Sequence, residues 1–167
     1  MNSLPPKPSK KPNDSNEENM NIASAFRAVN NANQTVPENT FVKVNYQVKQ
    51  FDLANEYNPI TSTFRPNNNG VYLVSGTISF APNNTNVNYR VRIEIRVNGR
   101  PAIAIDNDFF GPINFGNVAN VSTILKLRSR DQVEIFAQSS TAGIIALNAD
   151  GQASTHFEAA RFPSPTK

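Results

Sequence analysis

The side chains that could carry out chemistry are few in this sequence. Its 167 residues include a single histidine, His156, no cysteine, and 13 Asp and Glu residues that no motif groups into a pair. There is no G-x-S-x-G motif, no glycine-rich phosphate loop and no H-E-x-x-H zinc pair. Nucleophilic or metal-assisted catalysis would need the partners that such motifs supply. We therefore expect a protein that is not an enzyme and has no catalytic residues.

The best candidates for metal binding are Asp106 and Asp108, which flank Asn107 in a segment that we expect to be a loop after Ile105. Their oxygens would suit Ca²⁺, which takes about six to eight oxygen ligands. Two carboxylates and an amide are an incomplete shell, although neighbouring chains of an oligomer could complete it. The alternative is a solvated turn without metal. Calcium is thus the one cofactor that the sequence suggests.

Three arginines alternate with apolar residues in the segment YRVRIEIRV, residues 89–97. In a β-strand, Arg90, Arg92 and Arg96 would share one face with Glu94, and the apolar residues would line the other face. Charges on an exposed strand discourage aggregation between sheets. Arginine also pairs bidentately with carboxylate and phosphate, so this face could instead bind anionic glycans or acidic partners. Both interpretations stay open.

The charge of the whole chain does not favour a nucleic-acid partner. The net charge is only +3, and part of the basic excess lies in PKPSKKP near the N-terminus. A nucleic-acid-binding domain normally concentrates Lys and Arg on one face, with aromatic residues among them. We therefore expect no nucleic-acid binding. The sequence also shows no signal-peptide pattern and no apolar run near the ~18 residues of a membrane span, which leaves the localisation open.

The elements that position these side chains are predicted to be β-strands. The chain is rich in Val, Ile and Phe, and short strand-like segments such as TFVKVNYQV, residues 40–48, alternate with turn signals. Asn98-Gly99 predicts a tight hairpin, and RSRD, residues 128–131, predicts a second turn. This pattern is typical of an antiparallel sandwich or barrel. We expect a disordered Pro-, Lys- and Asn-rich arm over residues 1–22, one domain over 23–163 and a short tail over 164–167.

The spacing of aromatic residues in the centre of the chain resembles the globular head domain of complement component 1q, which is related to the tumour necrosis factor fold. The residues that carry the resemblance are Tyr46, Asp52, Tyr57, Phe64, Gly70 and Tyr72. LKLRSRDQVEI and the closing segment STHFEAARF are similar to further strands of the family, with Arg130 and Ala159 where the family usually has Gly. Val74 and Gly76 replace two aromatics.

The resemblance implies a ten-strand, all-β jelly roll that forms compact homotrimers and binds partners without catalysis. Similar bacterial domains cap the fibres of spore surface layers, so a spore or cell surface is one expected location. The resemblance also places the strand of residues 89–97 in the outer sheet, where its arginines would face solvent. The alternative is a carbohydrate- or anion-binding, lectin-like sandwich that uses this basic outer face. In either case the protein or glycan ligand is not identified.

The expected trimer interface follows from the alternation of the strand around residues 70–80. If Tyr72, Val74, Ile78 and Phe80 enter the core, the residues between them face neighbouring subunits. This expected set, to which we add Phe136 as an outward aromatic, contains Val71, Leu73, Ser75, Thr77 and Phe136. By the resemblance, His156 would also face the threefold axis. It would be either an ordinary packing residue or part of a central metal or anion site that responds to pH.

Overall fold

The computed structural model describes residues 23–112, 116–147 and 154–163. The expected arm over residues 1–22 and the tail over 164–167 lie outside the described residues. The described residues form strands and no helix, so they contain no helix that could span a membrane. The all-β prediction is confirmed.

Thirteen strand segments make up this part of the chain. In order they are β1 (Ala25–Val29), β2 (Gln34–Val36), β3 (Val42–Lys43), β4 (Val48–Asp52), β5 (Tyr57–Asn58), β6 (Thr63–Phe64), β7 (Gly70–Pro82), β8 (Tyr89–Val97), β9 (Arg100–Phe110), β10 (Asn117–Leu127), β11 (Val133–Ser139), β12 (Gly143–Ile145) and β13 (His156–Arg161).

The strands form two sheets whose strand pairings are antiparallel. The first, which we call the β7 sheet, has the order β2-β12-β7-β13-β1-β4, and β10 also pairs with β7. The second, the β8 sheet, has the order β5-β6-β11-β8-β9, and β3 pairs with β11. The sandwich expected from the sequence is therefore present.

The described residues do not confirm the expected count of ten strands, because they contain thirteen strand segments and β3, β5 and β6 have only two residues each. TFVKVNYQV is not one strand: Val42 and Lys43 pair with β11, and the backbone N–H of Val44 donates to the Ile135 carbonyl of that strand at 2.9 Å. Beyond them, the backbone N–H of Asn45 donates to the Gln34 side chain at 2.9 Å and that of Tyr46 donates to the Ser62 hydroxyl at 2.8 Å. Side chains thus satisfy these backbone groups, and no ladder is needed.

The core lies between the sheets and is rich in aromatic rings. Tyr72, Val74, Ile78 and Phe80 of β7 are buried, as the alternation predicts. Phe26 stacks on Tyr57 with ring centres 4.6 Å apart, and further rings of this cluster pack around the pair. Other buried residues of the core are Tyr46, Phe64, Tyr89, Val91, Ile93, Ile95, Val133, Ile135 and Phe157.

Two glycines occupy positions that disfavour residues with a side chain. A Cβ at Gly76 would lie 2.7 Å from Cδ1 of Ile135 on the opposite sheet, so the sheets approach too closely there for any side chain. At the β8–β9 turn, Asn98 and Gly99 have φ of 53° and 73°, the left-handed conformations of a tight hairpin. The hairpin expected at this dipeptide is confirmed by the pairing of Val97 with Arg100.

Candidate functional surfaces

The outer face of the β7 sheet carries an apolar patch. Leu73 is 41% exposed and pairs across the strands with Ile124, which is 61% exposed, while Val71 is exposed beside them. These side chains point away from the core, as the alternation of β7 predicts. Apolar residues that are adjacent and exposed in this way typically mark a surface that contacts another molecule. We call Val71, Leu73 and Ile124 the sheet patch.

Ser75 and Thr77 also point outward from β7, but neighbouring strands cover them. The Asn120 amide donates to the Ser75 hydroxyl at 3.1 Å and to the Thr77 hydroxyl at 2.7 Å. Nε2 of His156 lies 3.3 Å from the Thr77 hydroxyl and 4.0 Å from a carboxylate oxygen of Glu158. This row is hydrogen-bonded within one chain, so its contribution to an interface stays a prediction, as does the meeting of three His156 side chains.

Phe136 lies elsewhere, and the expectation that it shares a surface with Leu73 is wrong. It belongs to β11 of the β8 sheet, so it points out of the opposite side of the sandwich. The guanidinium of Arg96 covers its ring, 3.8 Å from the ring centre. Alternation along β11 predicts that this ring points outward. It does not predict which sheet the strand joins, because strand pairing is set by distant parts of the chain.

The arginine face differs from the expected solvent-facing row. Glu94 is fully buried, and its carboxylate accepts hydrogen bonds from Arg92 at 2.8 and 3.1 Å and from Arg96 at 2.6 Å. Phe41 packs over both guanidinium groups, and its ring centre lies 4.9 Å from the guanidinium carbon of Arg96. Two of the three arginines are therefore half-buried and neutralise one carboxylate between them.

Arg90, the third arginine, is less completely bonded. One of its terminal nitrogens donates to the Gln138 side chain at 3.2 Å. Its Nε is buried and has no hydrogen-bond partner among the described residues. The arginines of β8 thus divide into two that bond to the Glu94 carboxylate and one, Arg90, with a buried donor that no described residue engages.

Asp106 and Asp108 lie within strand β9 and not in the expected loop. They are half-buried on the face of β9 that turns toward the sandwich, whereas Ile105 and Phe109 are exposed. Burial and the adjacent charge of Asp106 raise the pKa of Asp108. The described residues contain no group of three or more side chains of the metal-binding acidic, His and Cys types. Calcium binding at this pair stays a prediction.

The strand β9 also exposes an apolar edge. Phe109 is 78% exposed, and Ile103 and Ile105 are exposed on the same side of the strand. β9 ends the β8 sheet, since β8 is its one pairing strand among the described residues. We call these three residues the edge patch. It lies on a different part of the sandwich from the sheet patch.

A polar pocket that the sequence did not predict opens among the connections at one end of the sandwich. Its volume is about 450 Å³, and its lining includes Lys49, Arg65 and Arg130. The wall also contains Glu56, which is buried and accepts hydrogen bonds from the Ser24 hydroxyl at 2.5 Å and the Asn67 backbone at 2.6 Å. These residues come from β4, from the connections before and after β5 and β6, and from the β10–β11 turn. No local motif could have joined them.

No family model matches the sequence, and no curated protein matches it significantly. Solved structures do match the fold. The globular domain of zebrafish complement 1qA superposes with a TM-score of 0.53 at 17% identity, covering 82% of this chain and 93% of that one. Murine APRIL superposes with a TM-score of 0.61 at 12% identity, covering 84% and 99%. The Eiger TNF of S. frugiperda gives 0.55 at 11%, covering 87% and 95%.

The fold is a complement 1q/tumour necrosis factor-like jelly roll. This confirms the resemblance drawn from the aromatic spacing. Within the jelly roll, Asp52 of that pattern accepts the backbone N–H groups of Glu56 and Tyr57 at 2.9 and 3.1 Å and so fixes the turn between β4 and β5. The Tyr57 hydroxyl donates to the Tyr46 carbonyl at 2.7 Å. The spacing therefore reflects a packed and hydrogen-bonded core of the jelly roll.

Proposed function

We propose that the protein is a non-enzymatic, homotrimeric jelly-roll module that acts in partner recognition or surface structure. The observation that carries the proposal is the exposure of Leu73 and Ile124 side by side on the β7 sheet. Exposed apolar neighbours on the paired strands β7 and β10 are costly in water, and burial against another subunit would remove that cost. The similarity to the complement 1q and tumour necrosis factor folds supports a jelly roll as the unit that assembles.

The arrangement of the two apolar patches favours a ring over a twofold dimer. The sheet patch and the edge patch are different surfaces of one chain, so the edge of one subunit can pack on the sheet of the next. Contacts between unlike surfaces are heterologous, and they close into a ring when the rotation between subunits allows it. A threefold ring of this kind buries both patches. A symmetric dimer through either patch alone would leave the other exposed.

The sheet patch supplies the test. In Leu73→Asp, a carboxylate would enter a dry interface without a partner, and burying such an unpaired charge is strongly unfavourable. Ile60→Asp is the matched control, because Ile60 is 93% exposed in a connection outside both patches. Light scattering after size exclusion should give a trimer for the parent and Ile60→Asp and a monomer for Leu73→Asp. A Leu73→Asp protein with the mass of the parent would contradict the proposed interface.

The lectin-like alternative, with Arg90, Arg92 and Arg96 as the binding face, has less support. Arg92 and Arg96 both bond to Glu94, so one of their two positive charges is offset within the chain. The buried Nε of Arg90 has no hydrogen-bond partner among the described residues, but a ligand could not reach it directly because it is buried. A location on a spore or cell surface rests on the resemblance and fits a trimeric module that presents ligands or joins a layer.

A further inference from the structure

We propose that the polar pocket lined by Lys49, Arg65 and Arg130 binds an anionic saccharide, that is, a sugar that carries carboxylate or sulfate groups. We call it the cationic pocket. Its volume of about 450 Å³ falls in the range of small-molecule sites, and it is many times larger than a single inorganic ion requires. Nothing in the proposed assembly uses this pocket, because its lining residues belong to neither the sheet patch nor the edge patch.

The charges at the pocket are positive and largely uncommitted. No hydrogen bond or ion pair of the described residues engages the guanidinium of Arg65 or that of Arg130. Lys49 has a long contact of 3.4 Å with Asp52, whose carboxylate also holds two backbone N–H groups. Guanidinium groups bind carboxylate and sulfate oxygens through paired N–H donors. Two free guanidiniums facing one cavity therefore favour an anionic ligand.

The described lining contains one carboxylate, that of Glu56, and its oxygens are engaged by the protein and do not offset the positive charges in the cavity. Both oxygens of Glu56 accept hydrogen bonds from the protein, one from the Ser24 hydroxyl and the other from the Asn67 backbone. The side chain is buried, so it serves the wall of the pocket. A ligand would meet the arginines and not this carboxylate.

Arg130 is held in a conformation that most side chains avoid. Its φ is +72°, in the left-handed region where glycine carries no steric penalty. Its backbone N–H donates to the Pro66 carbonyl at 2.8 Å, which ties the β10–β11 turn to the wall of the pocket. A strained non-glycine residue that brings a charge to a cavity is a reason to infer a function for that side chain.

Amide groups in the lining suit the hydroxyls of a sugar. Oδ1 of Asn58 accepts the backbone N–H groups of Ile60 and Thr61 at 2.9 and 3.3 Å, which leaves its NH₂ group as a donor. Nδ2 of Asn67 donates to the Ala54 carbonyl at 2.8 Å, which leaves its Oδ1 as an acceptor. Donors and acceptors placed around the cations can bind neutral hydroxyls beside a charged group. This combination favours an anionic sugar over an inorganic anion.

The proposal deepens the recognition role, yet it does not depend on the trimer, since one chain supplies the described lining. Leu73→Asp should therefore lose the trimer and keep saccharide binding. A failure of the pocket and a failure of the assembly are thus separate results.

Isothermal titration calorimetry can test the pocket with four probes: a sulfated hexasaccharide derived from heparin, an oligogalacturonate, neutral maltohexaose and sodium sulfate. We expect the two anionic saccharides to bind, more weakly as salt rises, and maltohexaose and sulfate not to bind measurably. Arg65→Gln and Arg130→Gly should each weaken binding about tenfold or more, because each removes charge-assisted hydrogen bonds. Arg130→Gly also relieves the left-handed strain, so it should melt no lower than the parent.

Arg128→Gln is the matched control, since Arg128 is exposed in the same turn but does not line the pocket. It should bind like the parent. The proposal is overturned if neither anionic saccharide binds, or if Arg128→Gln weakens binding as much as Arg65→Gln does. It is also overturned if sodium sulfate binds at this site and the saccharides do not.

Discussion

The buried carboxylate of Glu94 gives the sharpest prediction about stability. It lies on β8 between Arg92 and Arg96, is fully buried, and accepts three hydrogen bonds from their guanidinium groups. Glu94→Gln keeps the size of the side chain but removes its charge. The two arginines would then lie close together with like charges and no counterion. We expect this variant to be strongly destabilised.

The magnitude follows from burial. Removing one partner of a buried ion pair costs about 3–5 kcal/mol. The side chains of Arg92 and Arg96 are 26% and 19% exposed, so water screens part of their mutual repulsion. The lower end of that range, about 3 kcal/mol, therefore applies. With a urea m-value of about 2 kcal/mol per molar, the unfolding midpoint should fall by about 1.5 M.

Urea unfolding at one fixed protein concentration measures this shift, because the stability of an oligomer depends on concentration. Glu38→Gln is the control, since the Glu38 side chain is exposed and accepts a hydrogen bond of 3.3 Å from the Asn39 amide. Replacing Arg92, Glu94 and Arg96 together by Met should recover most of the loss, because no charge is then left unpaired. If Glu94→Gln and Glu38→Gln unfold at the same urea concentration, the reasoning about this cluster is wrong.

Three further predictions concern single positions. The pKa of Asp108 is raised in the folded protein above its value of about 3.9 in the unfolded chain, so stability is lost as pH rises through this region. Asp108→Asn should therefore raise the urea midpoint at pH 7 but not at pH 3. An equal gain at both pH values would refute the assignment. Gly76→Ala should lower the free energy of unfolding by about 1–3 kcal/mol, because the added methyl group overpacks against Ile135. A double-mutant cycle with Ile135→Ala should show coupling between the two positions, whereas additive effects would contradict the close approach of Gly76 to Ile135. If three His156 side chains meet in the trimer, lowering the pH from mildly alkaline to mildly acidic should dissociate the parent more readily than His156→Gln. If both proteins respond identically to pH and to a chelator, His156 is an ordinary packing residue.

Local patterns predicted the features that depend on neighbouring residues. The alternation of β7 and β8 predicted which side chains enter the core, since side chains of a strand alternate between faces. Asn98-Gly99 predicted the hairpin from the conformations that this dipeptide adopts readily. The aromatic spacing predicted the jelly roll, because those rings form the packed centre of the fold.

Features that depend on contacts between distant segments were not predictable in this way. Phe136 points outward as expected, but its sheet is set by the pairing of β11 with β8. Asp106 and Asp108 were expected in a loop after Ile105, but both belong to β9, where they pair with Ile93 and Val91 of β8. The cationic pocket joins Lys49, Arg65 and Arg130 across 81 residues of sequence, so its parts have no common local signal.

Sedimentation equilibrium of the unmodified chain tests whether this jelly roll assembles as a homotrimer. Across a range of low micromolar to high micromolar concentrations, we expect a single species with three times the chain mass of 18.4 kDa. The sheet patch and the edge patch should then be buried between unlike surfaces of adjacent subunits. A species with the mass of one chain at every concentration would contradict the trimer.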